Sequence, residues 1–110
     1  MSSTLEKIRR LEHYVATSEP GQDRVLDMAL EKLLSRETDR LSDMRRQLQM
    51  QVAEFEKSYQ MGSPKFLHQF DSGELGDDMD FVEWASTLEM IANLDHRISM
   101  LKADSHESDD

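Results

Sequence analysis

An all-α fold follows from three observations on this 110-residue chain. Residues 22–60 run 39 positions without a glycine or proline, and Leu34, Leu41, Leu48 and Phe55 recur every seven residues within them. The whole chain holds only four glycines and two prolines, too few for the many tight turns of an all-β protein. Capping signatures precede the other apolar-periodic stretches. The expected architecture is a helical hairpin with one very long helix, a short helix and acidic connector, then a C-terminal helix packing back on the long one. It is read as a single domain over residues 1–102.

The first helix is expected over 4–16. Ser3 and Glu6 form a capping box, in which side chains satisfy the free N–H groups of a helix start. Leu5, Ile8, Leu11 and Val15 then share one face. Ser18-Glu19-Pro20-Gly21 breaks the pattern. The second helix follows over 22–60, its stripe widened by Leu30, Met44 and Val52 and interrupted by Glu37 and Gln51. Glu37–Arg40, Asp43–Arg46 and Glu54–Lys57 stand one turn apart on its solvated face, each pair worth a few tenths of a kcal/mol. Gly62 ends this rod. Ser63 as N-cap and Pro64 at the first position then open a short helix over 64–72, stopped by Gly73. Asp80 and Glu83 make a second capping pair, so the last helix is expected over 81–102, with Phe81, Trp84, Ala85, Leu88, Ile91 and Ile98 on its apolar face. Residues 103–110 have no apolar periodicity and read as a disordered acidic tail.

Length adds a constraint. Thirty-nine helical residues make a rod of about 60 Å, whereas a compact chain of this size has a radius of gyration of about 13–14 Å. Much of the long stripe should stay uncovered by the shorter helices. Leu34, Leu41, Leu48 and Phe55 are therefore the expected self-association residues, and a homodimer the expected state.

Hydrophobic residues make up 37% of the chain and charged ones 33%. No apolar run approaches the roughly 20 residues of a membrane span, and no signal-peptide pattern opens the chain. A cytoplasmic protein without membrane contact is expected. With no cysteine there is no disulfide, thiolate metal site or cysteine nucleophile. The net charge of −10 is uneven: residues 1–61 carry ten Lys/Arg against eleven Asp/Glu, and residues 62–110 carry three against twelve. Such a field repels nucleic-acid phosphate and attracts basic partners. The adjacent basic pairs Arg9-Arg10 and Arg45-Arg46 both neighbour acids, so no direct nucleic-acid binding is expected.

Catalytic and metal patterns are missing. There is no glycine-rich phosphate loop and no nucleophile elbow. His13, His68, His96 and His106 belong to no Glu-x-x-His or His-x-x-x-His pair. A calcium loop starting at Asp71 would put Gly76 correctly at its sixth position. It would also place Gly73 and Leu75 at ligand positions and Val82 where the bidentate glutamate belongs. Neither an enzyme, a metal site nor a cofactor is expected. Among the methionines, Met28, Met44, Met90 and Met100 read as core packing, and Met50, Met61 and Met79 as candidates for an adaptable surface.

Residues 71–83 contain six acids and no base, and Phe66, Phe70, Phe81 and Trp84 flank them. Two readings stand side by side. The aromatics form a local mini-core that folds the connector onto the rod, or they are anchors for a partner, ringed by carboxylates. The candidate partner-binding set is Phe66, Phe70, Glu74, Leu75, Asp77, Asp78, Asp80, Phe81 and Trp84.

The run Phe66-Leu-His-Gln-Phe70-Asp-Ser-Gly73-Glu-Leu-Gly-Asp-Asp-Met-Asp80-Phe-Val-Glu-Trp84 resembles a pattern in small helical prokaryotic proteins similar to the antitoxin half of toxin–antitoxin modules. The resemblance covers residues 55–92, and Val82 departs from it where a second aromatic would stand. It implies a cytoplasmic antitoxin that binds and neutralises a small basic toxin, plausibly an RNA-cleaving one encoded by a neighbouring gene. The rival expectation is a self-associating coiled-coil scaffold or adaptor without a toxin partner.

Overall fold

The computed structural model describes residues 3–19 and 23–102. The expected tail 103–110 and the expected helix start at residue 22 lie outside them. Four α-helices follow in order: α1 (Thr4–Ala16), α2 (Arg24–Tyr59), α3 (Ser63–Asp71) and α4 (Met79–Leu101). There is no strand among the described residues. The chain is all-α, as expected. It divides into two compact units at Leu33 and Leu34.

In the first unit, α1 starts as its sequence dictates. Ser3 Oγ accepts the Glu6 backbone N–H at 3.1 Å, half of the expected capping box. At the other end, Thr17 and Ser18 hydroxyls donate to the Tyr14 carbonyl at 3.0 and 2.9 Å. No residue of α1 is buried, and Leu5, Ile8, Leu11 and Val15 form an exposed stripe. Asp23 caps α2 by accepting the Leu26 N–H at 3.0 Å. An aspartate just ahead of the periodic stretch is itself an N-cap signal, and it starts the helix at Arg24. Met28, expected in a core, is exposed there together with Val25 and Leu33.

In the second unit, α4 runs antiparallel to the later turns of α2. Tyr59 meets Asp80, Phe55 meets Trp84, and Arg45 pairs with Asp95, so positions fall on α2 as they rise on α4. The seam on α2 is Leu34, Thr38, Leu41, Arg45, Leu48, Val52 and Phe55, each buried or half-buried. On α4 it is Trp84, Thr87, Ile91, Leu94, Ile98 and Leu101. Both series alternate steps of three and four, the spacing that keeps one stripe facing a neighbouring helix. Leu41, Val52, Ile91 and Leu94 form its buried centre, and each contributes about 1.5–3 kcal/mol by leaving water. Thr38 and Thr87 satisfy their hydroxyls by donating to carbonyls four residues back, both at 2.8 Å.

This seam takes up the expected self-association stripe within the chain, most completely at Leu41. Leu41 is fully buried, and Leu34, Leu48 and Phe55 are half-buried within the chain itself. A heptad specifies a stripe that must be covered, and over Leu41, Leu48 and Phe55 α4 of the same chain lies along it. Met44, Met90 and Met100, expected in the core, lie beside or opposite the seam and are exposed. On the solvated side, Glu37–Arg40 and Asp43–Arg46 close at 2.7 and 2.8 Å, whereas Glu54 and Lys57 form no ion pair.

The connections follow from two left-handed residues. Gln60 at φ +49° ends α2, and the Met61 N–H reaches back to the Glu56 carbonyl at 3.2 Å. Gly73 at φ +84° ends α3 in a Schellman turn: its own N–H bonds to Phe70 O and the Glu74 N–H to Gln69 O. The expected stop at Gly73 stands. The expected N-cap at Ser63 does not, because Gly62 occupies the cap and Ser63 is the first residue of α3. The last helix also starts earlier than Phe81. Asp78 Oδ1 accepts the Asp80 N–H at 3.0 Å, so α4 begins at Met79.

A glutamine in the left-handed region costs about 1 kcal/mol relative to glycine. Gln60→Gly is therefore expected to stabilise the chain by roughly 0.5–1 kcal/mol after the added unfolded-state entropy. Thermal unfolding followed by circular dichroism checks this, and an unchanged or lowered midpoint would show that the strain is absent.

Candidate functional site

Every aromatic residue except Tyr14 belongs to one cluster at the α2–α3–α4 junction. The Phe66 and Trp84 rings stack at 3.8 Å between centroids and 4° between planes. Phe55 stacks on Trp84 at 5.7 Å, and Phe70 on Phe66 at 5.4 Å. Phe81 bridges Tyr59 at 5.1 Å and Phe66 at 5.9 Å.

A buried indole needs an acceptor for its N–H. Trp84 Nε1 donates to Ser63 Oγ at 3.1 Å, and Ser63 Oγ donates in turn to Glu56 Oε2 at 2.8 Å. The same carboxylate oxygen accepts the Ser63 backbone N–H at 2.9 Å. A negative group thus sits at the start of α3, where free N–H groups and the helix dipole favour it. One serine ties three helices together. No buried side-chain polar atom among the described residues lacks a partner.

This arrangement separates the two readings for Phe66 and Trp84. Phe66 and Trp84 are both 0% exposed, covered by the chain's own residues. No partner can touch them without opening the core, so their expected role as anchors is corrected to mini-core. Phe70, Phe81 and Leu75 are half-buried and border the surface.

The acids divide off from this core. Asp71, Glu74, Asp77, Asp78, Asp80 and Glu83 are all exposed, and none forms an ion pair. Residues 72–78 loop between α3 and α4 through Gly73 and a second left-handed glycine, Gly76 at φ +79°. Both glycines have open space where a Cβ would project, so backbone conformation alone calls for them. Asp78 is occupied as the α4 cap. Asp80 accepts the Tyr59 hydroxyl at 2.6 Å, a polar link from the acid segment to α2. Among the described residues no three His, Asp or Glu side chains gather as metal ligands.

Two surface residues lie outside the expected partner-binding set: Met79, already a candidate for an adaptable surface, and Val82. Met79 is 80% exposed and Val82 is 42% exposed, one turn apart at the start of α4 and beside Asp77 and Asp78. The signal for Met79 was its place inside the acid run, where a core residue would be stranded. For Val82 it was the departure from an aromatic. The patch is a set of carboxylates without ion pairs, interleaved with exposed apolar groups.

Asp80 leaves a measurable mark on Tyr59. The hydrogen bond to its carboxylate, then burial, then the negative charges of Asp80 and Asp78 push the phenol up to about 12. The folded state holds that proton more tightly than the unfolded chain does. Its stabilising contribution is fully present below about pH 10, the ordinary phenol value. It is lost as pH rises through about 12. In a Tyr14→Phe background, tyrosinate absorbance should titrate near 12 and fall towards 10 when Asp80 is replaced by Asn. Titration of the Asp80-containing protein near 10 would show that the hydrogen bond does not hold in solution.

Comparison with protein-family models, curated proteins and solved structures gives no match.

Proposed function

We propose that the chain is a protein-interaction module that presents the acid loop and the start of α4 to a small basic protein. The observation that carries this is the set of six exposed carboxylates between Asp71 and Glu83 without a single ion pair. Charges left uncompensated on a folded surface repel one another, and a basic partner relieves that repulsion while gaining association rate. The contact set is Phe70, Glu74, Leu75, Asp77, Asp78, Asp80 and Phe81, with Met79 and Val82 added and Phe66 and Trp84 behind them as support.

The resemblance of residues 66–84 to antitoxin-like proteins supports the specific form of this reading. The partner is a small basic toxin encoded next door, acting on RNA in the cytoplasm, and the chain neutralises it by covering its phosphate-binding surface. The chain then acts by binding, not by catalysis. A second reading, a self-associating scaffold, is favoured by the exposed stripe Leu5, Ile8, Leu11 and Val15 on α1. Ile8→Lys would dissolve self-association in sedimentation velocity if that reading holds.

The test uses the basic product of the adjoining reading frame, co-expressed with the full chain. A stable complex is expected, and Asp77→Asn with Asp78→Asn should slow association about tenfold at low salt and flatten its salt dependence. An association rate independent of these aspartates and of salt would contradict the acidic-surface reading.

A further inference from the structure

An exposed flank of α4 carries a second apolar stripe. At 100° per residue, Met79, Val82, Ser86 and Met90 fall within one arc of about 80°, on the flank beside the buried Trp84, Thr87, Ile91 and Leu94. Met90 is 51% exposed, and with Met79 and Val82 it leaves an apolar strip about 17 Å long, three turns of helix. A solvated helix face would hold charged side chains instead, as the outer side of α2 does with Arg36, Asp39, Asp43 and Arg46.

The surroundings of the strip specify what fits it. Glu83 lies along one edge and Glu89 along the other, and Asp77 and Asp78 close its N-terminal end, all exposed. Residues 66–96 contain eight Asp/Glu and no Lys or Arg. Arg97, whose charge acts on Glu37 of α2, marks where the strip stops. A flexible thioether surface rimmed by carboxylates on both sides accepts an amphipathic helix through its apolar face, with that helix's cations reaching the rims.

We infer that the exposed flank of α4, from Met79 to Met90, seats a basic amphipathic helix of the partner. This rests on the partner-binding reading above and adds the form of the ligand. A second copy of this chain is the weaker occupant, because the same acidic rims would meet each other.

The probe is a labelled 14-residue peptide of leucine and lysine with leucines at helical spacing, titrated against the full chain by fluorescence anisotropy. A scrambled peptide of the same composition serves as control. The helical peptide should bind at least about tenfold tighter than the scrambled one, and Met79→Gln with Met90→Gln should remove about tenfold of its affinity. Both methionines are exposed, so the unfolding midpoint should stay unchanged. If the two peptides bind alike and only Asp77→Asn with Asp78→Asn weakens them, the helix seat is overturned while the acidic-surface reading stands. Failure of the helical peptide to bind also overturns the seat, and the adjoining gene product then tests the acidic surface separately. A chain dimer that the methionine pair dissolves would assign the face to a second copy and overturn the inference.

Discussion

The junction of α2, α3 and α4 depends on where the Trp84 indole proton goes. An unpaired N–H at zero exposure would cost about 1–3 kcal/mol, a large part of the stability of a small domain. Ser63 Oγ accepts it and donates its own O–H to Glu56. That requirement holds the first residue of α3 within reach of the last turns of α2. It also explains why Gln60 tolerates a left-handed backbone, since the chain must reverse at once to return Ser63 to Glu56. The stacked pair Phe66 and Trp84 then fills the space the relay encloses.

Because the aromatics are spent on this core, the carboxylates are free to be a surface. Residues 72–78 leave the junction through two left-handed glycines and return at the Asp78 cap, with Leu75 half-buried in between. Tyr59 and Asp80 fasten the returning end to α2. The acid segment is thus held by the glycine turns at one end and by the Asp78 cap and the Tyr59–Asp80 bond at the other. This lets charge, which governs encounter, and apolar exposure, which governs dissociation, sit together on rigid backbone.

Much of this was legible in residues. The exact bounds of α1, the existence of one long helix over most of 22–60 and the stop at Gly73 follow from capping, periodicity and glycine chemistry that act within a few residues. What was illegible depended on which distant element takes a given group. The Leu34, Leu41, Leu48 and Phe55 repeat states that a partner helix exists but not that α4 supplies it. Ser63 reads as a local cap until Trp84, 21 residues on, claims its hydroxyl. Asp78 and Asp80 compete for the α4 cap on nearly equal terms, and Tyr59 occupies Asp80 in the observed fold. Methionine position is the hardest to read, because its flexible side chain suits both interiors and surfaces.

The most direct test is hydrogen exchange at the Trp84 indole N–H, followed by NMR in the parent and in Ser63→Ala. The relay predicts an indole proton exchanging as slowly as the protected amides of α4 around Ile91 and Leu94, and exchange accelerated at least about tenfold in the variant while those amides stay protected. An indole proton that exchanges at the rate of free tryptophan in the parent, beside protected α4 amides, would contradict the claim that this bond holds the three helices together.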